Sequence, residues 1–293
     1  MRLSLCIMLI RFFILYSMNN LSFEFFPPKT ALSEQHLQTT WKALKVFQPE
    51  YCSVTHGAGG ATLHDKTAQT IFRLQQDGLE ATPHLTCIGA CKAEITAIIL
   101  KYQTSGIRHV VALRGDYPPN AQDTGGDFNY ASELVQFIRE LTGEHFCIKV
   151  AAYPEFHPQA LNAFSDLENL KRKMDLGATS AITQYFYNSD SYFEFLEGCQ
   201  KLAIHMPIKP GIMPIDSYER ITRISRMCGA ELPLWLNKRL HSLQHDPVGF
   251  KEYCTEMVAR LCERLIQGGI PGLHFYTLNQ AEPTVGILQH LNR

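Results

Sequence analysis

From residue 21 onward, short runs rich in β-branched and aromatic residues alternate with segments of helical periodicity. This alternation limits the possible folds more than any other feature of the chain. The runs cover 22–26, 51–55, 82–86, 108–113, 147–153, 180–184, 208–213 and 273–276. After the fifth run, Ala163, Leu167, Leu170 and Met174 fall on one helical face; before the last, Phe250, Cys254, Met257, Leu261 and Leu265 do the same. Strands that alternate with helices imply a parallel sheet with crossovers. Eight is also the number that closes a (β/α)8 TIM barrel, and that α/β fold, as a single barrel over 18–293, is the one predicted.

A doubly wound sheet is the alternative. Its first strand-to-helix turn should carry a glycine-rich phosphate loop, and here that turn reads FFPPKT. The glycine cluster HGAGGAT after the second run lacks the required spacing. A short extra helix is expected around 232–247, before the final long one.

Hydrophobic residues make up 45% and charged residues 19%, enough to build one large core. The net charge of −1 leaves no electrostatic footprint for nucleic acid or an anionic membrane, so neither is expected as a partner. Nine cysteines scattered from Cys6 to Cys262 read as reduced thiols of a cytoplasmic protein. Cys87 and Cys91 have no second pair or downstream histidines to complete a zinc set, so no metal is expected.

Residues 1–17, MRLSLCIMLIRFFILYS, have the look of a signal sequence. Arg11 splits the apolar run, no small-residue cleavage site follows, and the stretch is short for a membrane span. The first strand begins three residues after Met18. We therefore read 1–17 as an over-extended start and Met18 as the beginning of the folded unit; a membrane anchor is the alternative.

In a barrel the active site lies at the carboxyl ends of the strands. Those ends supply Glu24, Thr55 with His56, His84, Arg114–Gly115–Asp116, Tyr153 with His157, and Gln184. A histidine at a strand end is ordinarily a satisfied core residue; the convergence of six strands on one rim argues for function. Alternation in SFEFF turns Phe23 and Phe25 outward and Glu24 inward. A carboxyl group there loses solvation, so its pKa should rise toward that of a general acid. The alternative is a buried ion pair with an interior Arg or Lys. In the fifth helix, Asp166, Asn169 and Lys173 form a polar stripe with Arg172 beside it. A solvated flank is the default reading, but its place after Tyr153 and His157 suits a dinucleotide tail.

LSFEFFPPKT, VTHGAGG, TPHLTCIG, GIRHVVALRGD, VAAYPEFHP, NLKRKMDLGA, AITQYFY, PGIMPI and HFYTLNQAEPT occur in order from residue 21 to the end. Together they resemble the bacterial methylenetetrahydrofolate reductase family. The resemblance implies an FAD-containing barrel in which NAD(P)H, as NADH or NADPH, and methylenetetrahydrofolate use one flavin face in turn. This serves one-carbon metabolism and methionine biosynthesis. By this similarity Glu24 matches the acid that acts on the folate, and Asp116 matches a carboxylate near flavin and pterin. His56, Ala58, His84, Arg114, Gly115, Asp116, Ala131, Tyr153, His157, Ala160, Asp166, Asn169, Arg172 and Lys173 match cofactor-binding positions. Thr55, Asp116, Gln184, Arg220 and Gln280 match substrate-binding positions. A homo-oligomer is expected.

The chain departs from the family pattern at three substrate positions. Arg220 and Ile224 stand where better-known members carry a glutamine and a phenylalanine, and Gln280 stands where some carry an arginine. The resemblance also lacks the regulatory region of eukaryotic relatives, so no allosteric control is expected. Two other function classes compete: a Schiff-base lyase using Lys209 on the seventh strand, and a non-catalytic, membrane-tethered folate or flavin binder.

Overall fold

The computed structural model describes residues 20–56, 61–116 and 125–292. Ala58 and residues 1–17 lie outside them. The strands are β1 (Leu21–Phe25), β2 (Tyr51–Val54), β3 (Ala81–Thr86), β4 (His109–Leu113), β5 (Cys147–Ala152), β6 (Ser180–Thr183), β7 (Ile208–Lys209), β8 (Gly211–Ile212) and β9 (Leu273–Tyr276). All pairings are parallel, in the order β7-β6-β5-β4-β3-β2-β1-β9-β8.

β7 and β8 occupy the two ends of that order yet follow each other in the chain across Pro210. They are two halves of one stave, and they close the cylinder. β7 pairs with β6 through Ile208 and Lys209, while β8 pairs with β9 through Gly211 and Ile212. The sequence reading had one continuous seventh strand over 208–213. Pro210 has no N–H to give to a ladder, which is why the stave breaks there.

The helices are α1 (Ala31–Lys45), α2 (Ala61–Gln76), α3 (Lys92–Thr104), α4 (Ala131–Thr142), α5 (Ala163–Asp175), α6 (Ser189–Lys201), α7 (Tyr218–Cys228), α8 (Leu234–Leu243), α9 (Pro247–Gln267) and α10 (Ala281–Leu291). The short helix expected near 232–247 is α8. α10, after the last strand, was not anticipated. None of the described helices is long and apolar enough to cross a membrane.

Two layers follow from the strand alternation. Phe23, Phe25, Leu273 and Phe275 are fully buried against the helices, with the Phe23 and Phe275 rings 6.2 Å apart. Each such burial contributes about 1.5–3 kcal/mol. In α5 Leu170 is buried and Leu167 and Met174 pack on the core; in α9 Phe250, Cys254, Leu261 and Leu265 are buried, as the periodicity predicts. The opposite faces of the strands point inward and carry Ser22, Glu24, Tyr51, Ser53, Thr82, His84, Lys149, His274 and Tyr276, so the barrel interior is polar along one side.

Candidate active site

Glu24 sits in the middle of that polar side. Its backbone is fixed from the last strand: Thr277 Oγ1 donates to the Glu24 carbonyl at 2.6 Å, and the Thr277 N–H donates to the same oxygen at 3.3 Å. Two residues on, the Asn279 amide pairs with both the N–H and the carbonyl of Phe26, at 2.9 and 3.0 Å. Asn279 and Leu278 both have positive φ, at 57° and 51°, a conformation that such contacts must hold in place.

The Glu24 side chain keeps 13% of its surface accessible. Its Oε2 lies 3.4 Å from His84 Nε2 and 3.5 Å from His274 Nε2. Burial pushes the carboxyl pKa up, partly offset by His84. The same burial pulls His84 down to about 4 and His274 to about 3, the latter helped by the charges of Lys209 and Lys149. Both imidazoles are therefore neutral at pH 7. Glu24 faces inward as predicted, and its ion-pair neighbours among the described residues are these histidines rather than the interior Arg or Lys of the alternative reading.

Around the rim, the ends of β4 and β5 bring a second group together. His157 N–H donates to Asp166 Oδ2 at 3.0 Å, and the Tyr153 and His157 rings meet edge-to-face at 4.6 Å. His157 Nδ1 accepts from the Gln159 N–H at 3.0 Å, which leaves the proton on Nε2. The Tyr153 hydroxyl is pushed up to about 12, first by burial and then by the charges of Asp166 and Asp116, against Arg114. Gly115 turns the chain after β4 with φ +86°, and a Cβ there would crowd Ile88 and Thr86 at 3.0 and 3.1 Å. Ala160 closes the next turn by donating to the His157 carbonyl at 2.8 Å, and Ala131 opens α4.

The stripe on α5 divides. Asn169 and Arg172 are exposed and touch each other at 3.4 Å, available to a ligand. Lys173 is turned inward: its ammonium donates to the Ala151 carbonyl at 2.6 Å, and burial lowers its pKa to about 8. As a set, these residues offer two guanidinium groups, an aromatic wall, a carboxylate and an amide on one side of the rim. That donor chemistry fits a flat, anionic dinucleotide.

Thr55 and Gln184 are half-buried at the ends of β2 and β6, tied in by their backbone amides to Phe25 and Ala152. Arg220, on the first turn of α7, pairs with Asp216. Gln280 reaches the same pair when its amide is oriented to satisfy both ends. Lys209 lies at the opposite, amino-terminal end of the barrel, bound to Glu50 at 2.8 Å. Its place away from the rim removes the structural basis for the lyase reading.

The residue-by-residue reading missed His274, Ser22, Tyr51 and Glu155. The first three were legible: HFYT alternates as SFEF does, so His274 and Tyr276 turn inward beside Glu24, which pairs in register with Tyr276. Glu155, whose Oε2 accepts from the Glu231 N–H at 2.8 Å, had no such signal because its partner comes from a distant loop.

The profile of the family described as methylenetetrahydrofolate reductase matches residues 14–292. The 5,10-methylenetetrahydrofolate reductases of Salmonella typhimurium and Escherichia coli are each 40% identical, over 93% of this chain and 90% of theirs. A methylenetetrahydrofolate reductase (NADH) of Arabidopsis thaliana is 37% identical over 92% of this chain and 48% of its own. Among solved structures, a Clostridium thermocellum protein described as binding two copies of 5-methyl-5,6,7,8-tetrahydrofolic acid superposes with a TM-score of 0.64. It is 15% identical and covers 97% of this chain and 98% of its own, a likeness of fold. The chain belongs to the methylenetetrahydrofolate reductase family.

Proposed function

We propose that the protein reduces methylenetetrahydrofolate to methyltetrahydrofolate with NADH or NADPH, in two half-reactions that share one FAD. The observation that carries this reading is Glu24: a carboxyl group buried inside the barrel, flanked by two neutral imidazoles and raised in pKa, in a chain of this family. Such a group keeps its proton to higher pH than a free carboxyl and can release it to a substrate nitrogen. The flavin, when bound, supplies the hydride chemistry.

In this reading Arg114 and Arg172 hold the diphosphate side of the cofactor, and Lys173 braces the wall behind them from the Ala151 carbonyl. Asp166 and Asn169 face its ribose, and Tyr153, His157, His56, His84, Gly115, Ala131 and Ala160 shape the rest of the cradle. Asp116, exposed on the rim, sits where flavin and pterin meet. Thr55, Gln184, Arg220 and Gln280 receive nicotinamide and folate in turn. Supply of methyltetrahydrofolate for methionine synthesis is the metabolic role, and a cytoplasmic homo-oligomer is the expected form.

Glu24→Gln tests the assignment, because it keeps shape and hydrogen-bonding reach but has no proton to give. A positioned general acid contributes about 10²–10⁴-fold. The variant should bind FAD, be bleached by NAD(P)H at near-normal speed, and be reoxidised by the folate more slowly by that factor. Stopped-flow absorbance of each half separately is the measurement. Equal slowing of both halves would make Glu24 a structural residue and remove the mechanism.

A further inference from the structure

His274 is buried with no accessible surface, and its Nε2 has no hydrogen-bond partner among the described residues. A buried nitrogen left without a partner costs about 1–3 kcal/mol. That orphaned nitrogen is aimed at Glu24 Oε2, 3.5 Å away, and His84 Nε2, also orphaned, approaches the same oxygen at 3.4 Å. Two buried nitrogens thus converge on one carboxyl oxygen.

The ring of His274 is held from below. Its Nδ1 lies 2.8 Å from Ser22 Oγ, which donates to the Leu273 carbonyl at 3.4 Å. That contact anchors the ring. The ring also lies on Tyr51, with centroids 6.1 Å apart and planes at 23°. Beneath Tyr51, the ammonium groups of Lys149 and Lys209 approach the phenol ring at 4.4 and 4.8 Å. Two cations under the stack oppose a third charge on His274, which keeps the ring neutral.

We propose that His274, fixed by Ser22, is a positioning residue for the acid: its Nε2 engages Glu24 Oε2 and sets how the carboxyl group faces the substrate. This rests on the function proposed above. The contact tightens from 3.5 Å as substrate fills the rim, since catalytic hydrogen bonds are often long in the free enzyme. Other ionisable groups facing this pair are His84 and His56, Tyr51 and Tyr276, and Lys149 and Lys209. Of these, His84 also approaches Oε2, at 3.4 Å.

The test uses the FAD holoenzyme and both half-reactions across pH. His274→Leu removes the polar contact and His274→Gln retains a polar group at similar reach. Ser22→Ala releases the ring and is the milder variant should His274→Leu fold poorly. Reoxidation by methylenetetrahydrofolate should slow by about ten- to a hundred-fold in His274→Leu. Its pH limb should move to higher pH by about half a unit or more, because an apolar neighbour makes the carboxylate harder to form. His274→Gln should recover much of both, and reduction by NAD(P)H should stay near normal in all three.

Equal slowing of both halves, or an unmoved pH limb in His274→Leu and Ser22→Ala alike, would overturn the inference while leaving Glu24 as the acid. A wild-type protein that NAD(P)H bleaches but the folate never reoxidises would overturn the proposed function itself.

Discussion

Gln280 and Arg220 meet over Asp216: with the Gln280 amide oriented to satisfy both ends, its nitrogen donates to Asp216 Oδ2 at 2.7 Å and its oxygen accepts from the Arg220 guanidinium. Two of the three positions where the chain departs from the family pattern are therefore one joined feature. Arg220 keeps 35% of its side chain accessible and Asp216 already offsets its charge, so its pull on a folate carboxylate is limited to about 0–1 kcal/mol. Arg220→Gln should raise the KM for the folate by about fivefold or less, chiefly at low salt, and leave NAD(P)H oxidation intact. An unchanged folate dependence at low ionic strength would place the tail elsewhere.

Closure of the barrel depends on a missing side chain. A Cβ on Gly211 would come within 2.2 Å of the Thr183 carbonyl and 2.6 Å of the Tyr276 ring, with backbone on one side and a buried ring on the other. Gly211→Ala should destabilise the protein by at least about 1–3 kcal/mol, the usual cost of overpacking, seen as a lower urea midpoint. A midpoint equal to that of the wild type would mean that β8 can shift freely.

The alternation of strands and helices was readable because each run combined β-branched residues with a clean period of two, and the barrel followed from their number. What the residues did not disclose was the break at Pro210, where a continuous apolar run masks a lost backbone donor. The inward turn of Glu24 was legible from Phe23 and Phe25 alone. Its neighbours were legible only in part: alternation in HFYT turns His274 inward, but which inward residues meet around Glu24 depends on the register of strands far apart in the chain. Lys173 shows the opposite failure: helical spacing put it on a polar stripe, yet its long stem carries the charge inward to the Ala151 carbonyl.

Glu155 should give the fold a pH signature. Burial raises its pKa from 4.5 to about 7, with the neighbouring Glu231 adding to the shift and the hydrogen bond from the Glu231 N–H opposing it. A carboxyl group raised in the folded state stabilises it fully below the unfolded pKa, and that contribution is lost as pH rises through about 7. Glu155→Gln can still accept from Glu231 N–H but never ionises. Its Tm relative to wild type should therefore rise between about pH 5 and about pH 8. A constant difference across that window would show that Glu155 ionises without penalty.

Asn279→Ala should cost about 1–2 kcal/mol, since it deletes both hydrogen bonds to the Phe26 peptide and leaves a non-glycine residue at positive φ without support. Because Phe26 lies two residues after Glu24, the variant should also slow reoxidation by the folate more than reduction by NAD(P)H. Asn279→Asp, which keeps the acceptor for the Phe26 N–H, should fall between. Equal loss in both half-reactions would confine Asn279 to stability.

The stave split at Pro210 has a mechanical consequence. Each half is stitched to its neighbour by only two residue pairs, and the join is finished by side chains: Tyr276 Oη donates to the Thr183 carbonyl at 2.6 Å, and Thr183 Oγ1 accepts from the Gly211 N–H at 2.9 Å. Local opening starts where backbone bonds are fewest. The wall therefore has a built-in compliance line running up to the rim between Gln184 and Gln280. A cylinder that yields along one line can widen for a bulky guest and narrow for a flat one while the stave bearing Glu24, stitched on both sides, stays where it is.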